Sequence, residues 1–151
     1  MNNITVRQAA LSDMEALVPL FDGYRQFYGR PSDLSAAREF LLARFDHGES
    51  VLFLAHHEEQ PVGFAQLYPS FSSVSLARTY VLNDLFVQEA ARRKGVASKL
   101  MFSTIEFARA VGAIRVTLST AVGNHAAQAL YQAIGWKRDE QFFVYHYAIP
   151  T

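Results

Sequence analysis

Thr79 to Leu100 reads TYVLNDLFVQEAARRKGVASKL, and the order of residue types in it decides the fold. Tyr80 to Val87 is β-branched and aromatic, the composition of a strand. The strand breaks into a short loop holding Arg92, Arg93 and Lys94, and a helix opens at Gly95. The first N–H groups of a helix have no partner within it, and the helix dipole adds partial positive charge at the same place, so basic side chains gathered there make an anion site. Gly95 lacks a Cβ, which permits a tight turn and a close approach of phosphate to the amides around Arg93, Lys94, Gly95, Val96 and Ala97. Three adjacent cations also describe a plain solvated turn, so the spacing has to separate the two readings. No Gly-Lys-Ser/Thr follows, which excludes a P-loop, and there is one glycine where a dinucleotide fingerprint needs three.

Arg92-x-x-Gly95-x-Ala97, preceded by Leu85-Phe86-Val87, resembles the acetyl-CoA signature of the GNAT superfamily of N-acetyltransferases. A second block, NHAAQALYQAIGW from Asn124 to Trp136, is similar to that family's downstream motif: Asn124 opens a helix, Ala127 and Leu130-Tyr131 follow, and Gly135-Trp136 close it. The resemblance covers nearly the whole chain. It implies one α/β domain over residues 1–151, with a mixed, mostly antiparallel sheet of about seven strands, a central splayed parallel pair and about four flanking helices.

Bulk composition fits one such domain. The chain has 151 residues, half of them hydrophobic and 13% aromatic, enough to bury a core. Lys plus Arg equals Asp plus Glu at 14 each, so net charge gives no basis for nucleic-acid or membrane-surface binding. There is no cysteine, which excludes disulfides, thiolate metal sites and a cysteine nucleophile. No apolar run approaches the ~20 residues of a membrane span, and the polar start MNNITVRQ does not read as a signal peptide, so the expected location is cytoplasmic. The five histidines show no ligand spacing, and no metal is expected.

Taken in order, Ile4 to Arg7 reads as a strand and Ser12-x-x-Glu15 as a capping box opening a helix with Met14, Leu17, Phe21, Tyr24 and Tyr28 on one face. Gly29 and Pro31 end it. A second helix, capped by Ser32 or Ser35, presents Leu34, Ala37, Leu41 and Phe45 and stops at Gly48. Val51 to His57 and Val62 to Tyr68 form an antiparallel pair, and Pro69 to Ser73 a connection. After the helix at Gly95, Ile114 to Thr120 should lie parallel to the Tyr80 strand through a crossover. Trp136 to Arg138 and Phe142 to Ile149 read as closing strands.

The resemblance assigns roles to particular residues. Main-chain groups of Phe86 and Val87 would hold the pantetheine arm, with the Val87 amide polarising the thioester carbonyl. The loop from Arg92 to Ala97, with Asn124 and Tyr131, would complete the cofactor site. Tyr131 is the expected general acid: a phenol of pKa about 10 keeps its proton at neutral pH and can give it to a departing thiolate. Tyr131 also suits simple packing with Ala127, Leu130 and Ile134, and Asn124 suits a helix cap. Leu82 to Val87 looks like the strand of the histone and polyamine branch, in which an acid at the position of Asp84 faces the acceptor amine. That carboxylate would attract a cationic amine and take its proton; alternatively it bonds backbone at a strand irregularity. Asn83 stands where a diamine-specific member carries Glu. The helix–loop–helix region is placed over the acceptor, making Tyr24, Tyr28 and Arg30 substrate contacts, though both tyrosines also suit the edge of a core. The function expected is acetyl transfer from acetyl-CoA to a primary amine by direct attack in a ternary complex, with a homodimer as the family expectation. The rival readings are a catalytically silent acyl-CoA sensor and an assembly subunit using the aromatic C-terminal strand.

Overall fold

The computed structural model describes residues 3–151. Contacts between Cα atoms divide the chain into two units, one ending at Ser119 and one spanning Thr120–Thr151.

The first unit is built on a five-stranded sheet in the order β1 (Ile4–Gln8), β2 (Val51–His57), β3 (Gln60–Ser72), β4 (Ala77–Val87) and β5 (Val116–Thr117). The first four strands are antiparallel neighbours, and β5 runs parallel to β4. Both faces of the sheet are covered, which is why Leu52, Phe53, Leu54 and Ala55 are buried in an unbroken run. Successive side chains point to opposite faces. Leu52, Leu54 and Phe64 meet α1 (Met14–Phe27) and α2 (Leu34–Asp46) through Leu17, Val18, Phe21 and Leu41. On the other face Phe53 and Tyr80 set their rings against Phe107 of α3 (Val96–Ala110) at 5.7 and 5.6 Å between centroids.

Several local expectations change. A 3-10 turn at Leu11–Asp13 precedes α1, and the expected box of Ser12 and Glu15 does not form: Asp13 stands at the start of α1 without a side-chain bond to that helix, and its side chain closes the 3-10 turn instead. Its carboxylate accepts from the Ala10 amide at 2.7 Å and from both Arg7 Nη atoms at 2.7 and 2.6 Å, while Glu15 is spent on an ion pair with Arg38. The α2 cap is Asp33, whose Oδ1 accepts from Ala36 N at 3.0 Å, and not Ser32 or Ser35. Asp offers the same acceptor geometry as Ser with charge added at the positive helix end.

Pro69 to Ser72 belong to β3 and are not a connection. Beyond Leu67, β3 no longer pairs with β2, so the missing N–H of Pro69 falls on an open edge and breaks no ladder. The parallel pair also departs from expectation. Its two registered pairs, Tyr80 with Val116 and Val81 with Thr117, leave Leu82 to Val87 without a β5 partner, and β5 ends the sheet order where a central pair was expected.

The second unit holds α4 (His125–Ala133), capped by Asn124 Oδ1 accepting from Ala127 N at 3.2 Å. Gly135 takes the left-handed conformation, φ 102°, and the Trp136 amide returns to the Tyr131 carbonyl at 2.9 Å, as a glycine helix stop requires. The closing strands at Trp136 to Arg138 and Phe142 to Ile149 do not form. That segment has no ladder, and Phe142, Phe143, Tyr145 and Tyr147 are all exposed. Without a partner strand or an apolar face to bury, β-type composition alone does not make a strand. Five strands therefore replace the seven expected, among the described residues.

Candidate active site

In β4 the ladder with β3 slips by one residue: Gln66 stands opposite Asp84 while Leu67 stands opposite Leu82. Asn83 is the extra residue of this bulge, exposed between the buried Leu82 and Asp84. A bulge re-aims side chains and local backbone, and here it gathers a polar cluster inside the sheet. Asp84 is 3% exposed. Its Oδ2 accepts from Gln66 Nε2 at 2.5 Å and its Oδ1 from Asn83 Nδ2 at 2.9 Å. The Tyr24 hydroxyl of α1 donates to the Asn83 carbonyl at 3.2 Å. Burial pushes the Asp84 carboxyl up from the ordinary carboxylate range, against the opposing bonds from Gln66, Asn83 and Tyr24. Burial and then the nearby Asp84 charge push the Tyr24 and Tyr68 phenols up as well.

Aromatic rings surround this cluster. Tyr24 makes edge contacts with Tyr28, Phe64 and Phe86 at 5.1, 5.8 and 6.3 Å. Tyr28 is exposed, and so is Arg30 in the turn that follows. The connection bearing both is held by Asp22, a buried residue the sequence did not single out. Asp22 Oδ1 accepts from the Asp33 amide at 2.8 Å, and Oδ2 from Ser32 Oγ at 2.7 Å and Gln26 Nε2 at 3.0 Å.

Three residues past Asp84 the backbone opens. Gln88 N donates to Val62 O at 2.8 Å, which makes Val62 and Gln88 a hydrogen-bonded pair of the antiparallel ladder. Bonded and non-bonded pairs alternate, so at Gly63 and Val87 both main-chain groups of Val87 turn away from β3, toward the side where β5 does not extend. Its carbonyl is taken by Arg92 Nε at 2.8 Å. The Arg92 guanidinium lies 5.6 Å from the Phe27 ring centre and 5.8 Å from that of Phe86. Arg92 was read as a cofactor contact; at least one of its donors is committed to β4.

The loop then enters α3 with Arg93 at φ 65° and Gly95 at φ 80°. Among the described residues no side chain caps the helix at Gly95, which leaves the amides of its first turn without a side-chain acceptor there. Positive φ at a non-glycine residue is strained backbone and concentrates at ligand-holding loops. Val96 is buried as the first residue of the helix, whereas Arg93 and Lys94 are exposed. The uncapped turn and its basic side chains fit a pyrophosphate. Asn124 and Tyr131 belong to the second unit, where Asn124 caps α4 and the Tyr131 ring lies 6.4 Å from that of Trp136. No group of three or more His, Asp or Glu side chains suited to a metal occurs among the described residues, and none of their helices is long and apolar enough to cross a membrane.

Gln66, Tyr68, Asp22 and Gly63 were not picked out from sequence. A polar Gln inside the apolar run Val62 to Tyr68 and an isolated glycine in the same strand were the available signals.

A bulged strand with a turned-out amide, running into an uncapped, basic helix start, is the framework of an acyltransferase. The chain belongs to the acetyltransferase (GNAT) family, whose pattern it matches over residues 16–136. It is 44% identical to the uncharacterized N-acetyltransferase YhfO of Bacillus subtilis over 148 residues, covering 98% of this chain and 99% of that protein. A crystal structure of a probable acetyltransferase superposes with a TM-score of 0.91 at 43% identity, covering 97% of this chain and 99% of the other. An aminoglycoside N-acetyltransferase solved in complex with CoA shares the fold, at TM-score 0.79 and 20% identity over 99% of this chain and 97% of that one.

Proposed function

We propose that the chain, as one catalytic domain over residues 1–151, is an N-acetyltransferase that moves an acetyl group from acetyl-CoA to a primary amine by direct attack in a ternary complex. What supports this most is a single stretch of β4 and its loop: buried Asp84, the turned-out Val87 amide and the uncapped α3 start follow one another within 13 residues. The amides of Arg93 to Ala97 bind the pyrophosphate and the Val87 N–H meets the acyl end of the pantetheine arm, whereas the main-chain groups of Phe86, opposite Phe64 in the next pair of the ladder, face β3 and are not open to it. Asn124 and Tyr131, in the second unit, are assigned to the cofactor by the family's motif. The Val87 N–H polarises the thioester carbonyl, a type of contact worth about 3 kcal/mol in a transition state. Asp84 draws in a cationic amine and takes its proton, directly or through water, since an alkylammonium of pKa about 10.4 cannot attack. Tyr24, Tyr28 and Arg30 line the acceptor side. Tyr131 gives its proton to the departing thiolate.

The strand at Asp84 favours the histone and polyamine type of acceptor: a polyamine, another small amine or amino acid, or a protein lysine. The proposal places the enzyme in the cytoplasm, with a homodimer as the family expectation and no nucleic-acid or membrane partner.

Two variants test the roles separately. Tyr131→Phe is expected to lower kcat by about 10²–10⁴-fold with the acetyl-CoA Kd nearly unchanged; a large loss of acetyl-CoA binding contradicts the acid role. Gly95→Val forces a β-branched residue to positive φ and puts methyls where phosphate approaches. Its acetyl-CoA Kd should rise about ten- to a hundredfold by calorimetry, and an unchanged Kd would remove the cradle.

A further inference from the structure

We propose that Gln66 is the positioning residue of Asp84, its side-chain amide offering the carboxylate a hydrogen-bond partner in both of its protonation states. The inference rests on the reading of Asp84 as the group that takes the amine's proton.

Gln66 is completely buried on β3, directly across the ladder from Asp84 and at the edge of the bulge. Its Nε2 donates to Asp84 Oδ2. Its Oε1 is also buried and has no hydrogen-bond partner. Buried amide oxygens are nearly always satisfied, so an orphan beside a carboxylate asks for an explanation. In this arrangement the pair suits an ionised Asp84, which only accepts. A neutral Asp84 has one O–H to donate, and it needs an acceptor. A half-turn of the Gln66 amide about its last torsion, a broad and soft one, supplies Oε1 for that proton.

The proton balance is simple. An N–H bond of the ammonium breaks, the electron pair stays on nitrogen, and an O–H bond forms on Asp84. Cation and anion become two neutral species, and the free amine can attack. When product leaves, Asp84 returns the proton to solvent and the amide turns back.

The other groups facing Asp84 are the Asn83 amide from β4, the Tyr24 phenol from α1 and the Tyr68 phenol from β3, the last also within the field of Arg44 on α2. No cation bonds the carboxylate among the described residues. Its charge is held by neutral donors, and Gln66 is the only one of them set opposite it in the sheet.

The test reads Asp84 itself. Protein labelled with ¹³C at aspartate carboxyls is titrated by NMR, the Asp84 signal being the one missing from Asp84→Asn. In Gln66→Met, which keeps volume and removes donor and acceptor, the bond lost from the ionised form is the stronger of the two, so the Asp84 midpoint is expected to rise by about one pH unit. Gln66→Glu, nearly isosteric, should raise it further, because a second carboxylate opposes ionisation of the first. An unmoved midpoint in a folded variant of either kind overturns the proposal, since a packing role would change stability and leave the titration alone. The base reading fails by a different result, full amine turnover in Asp84→Asn.

Discussion

Asp84→Asn is expected to lower kcat/KM for the amine by about 10²–10⁴-fold while making the folded protein more resistant to heat at neutral pH. The two effects have one cause. Burial raises the folded-state carboxyl above its unfolded value near 3.8, so ionising Asp84 in the fold costs free energy that the unfolded chain does not spend. The stability attached to the neutral acid is complete below that unfolded value and is lost as pH rises through the raised folded one. Asparagine is neutral throughout. Its oxygen can still accept from Gln66 Nε2, and its amide NH2, in the place of Oδ1, can donate to Asn83 once the exposed Asn83 amide turns over, so hydrogen bonding is kept without the charge. The variant's Tm should therefore exceed the parent's at pH 7–8 by a few degrees, and the gap should narrow as pH falls toward the unfolded value, where the stability of the neutral acid returns. Melting curves at the two pH values and steady-state rates measure both halves. A variant that is inactive and also less stable at neutral pH would make Asp84 a structural acid.

Gly63 carries the second large effect. A Cβ built there falls 2.8 Å from the Phe86 carbonyl oxygen and 3.4 Å from Val87 Cγ2 and Val96 Cγ1. The nearest atom is backbone, so relief must come from displacing β4 next to Val87, whose amide is assigned to the thioester carbonyl. Gly63→Ala is expected to lose about 1–3 kcal/mol of stability through overpacking. Because a shift of about 1 Å in a reacting group can cost 10²-fold, kcat should fall by about that factor even in protein that remains folded. Gly63→Val should express poorly or unfold. An alanine variant with wild-type rate and Tm would mean that β4 is free to move, and that the Val87 amide is not held in a fixed place.

The core of this design was legible in the sequence because local chemistry and tertiary role coincide there. The strand ending at Val87, the helix start at Gly95, the cap at Asn124 and the stop at Gly135 each need a particular residue type at a particular point. The misreadings arise where several residues satisfy the same need. Asp33 caps α2, for which Ser32 and Ser35 were equally good candidates, and Asp13 closes a 3-10 turn where Ser12 was expected to open the helix directly; only the placing of the Ala36 and Ala10 amides chooses between them. Phe142 to Ile149 has strand composition, but a strand is a relation to a neighbour that composition does not supply. The partners of Asp84 lay beyond a single-sequence reading for a related reason: the bulge at Asn83, which sets Gln66 opposite Asp84, is a property of two paired strands.

The central claim is that this chain acetylates a primary amine, and CoA-thiol release measures it most directly. Wild-type protein with acetyl-CoA is assayed against polyamines, amino acids, aminoglycosides and lysine peptides, with product mass as confirmation. Thiol release is expected to depend on one class of amine, with an N-acetylated product and no release without acceptor. Tight acetyl-CoA binding with no amine-dependent release across the panel would contradict it and favour an acyl-CoA sensor.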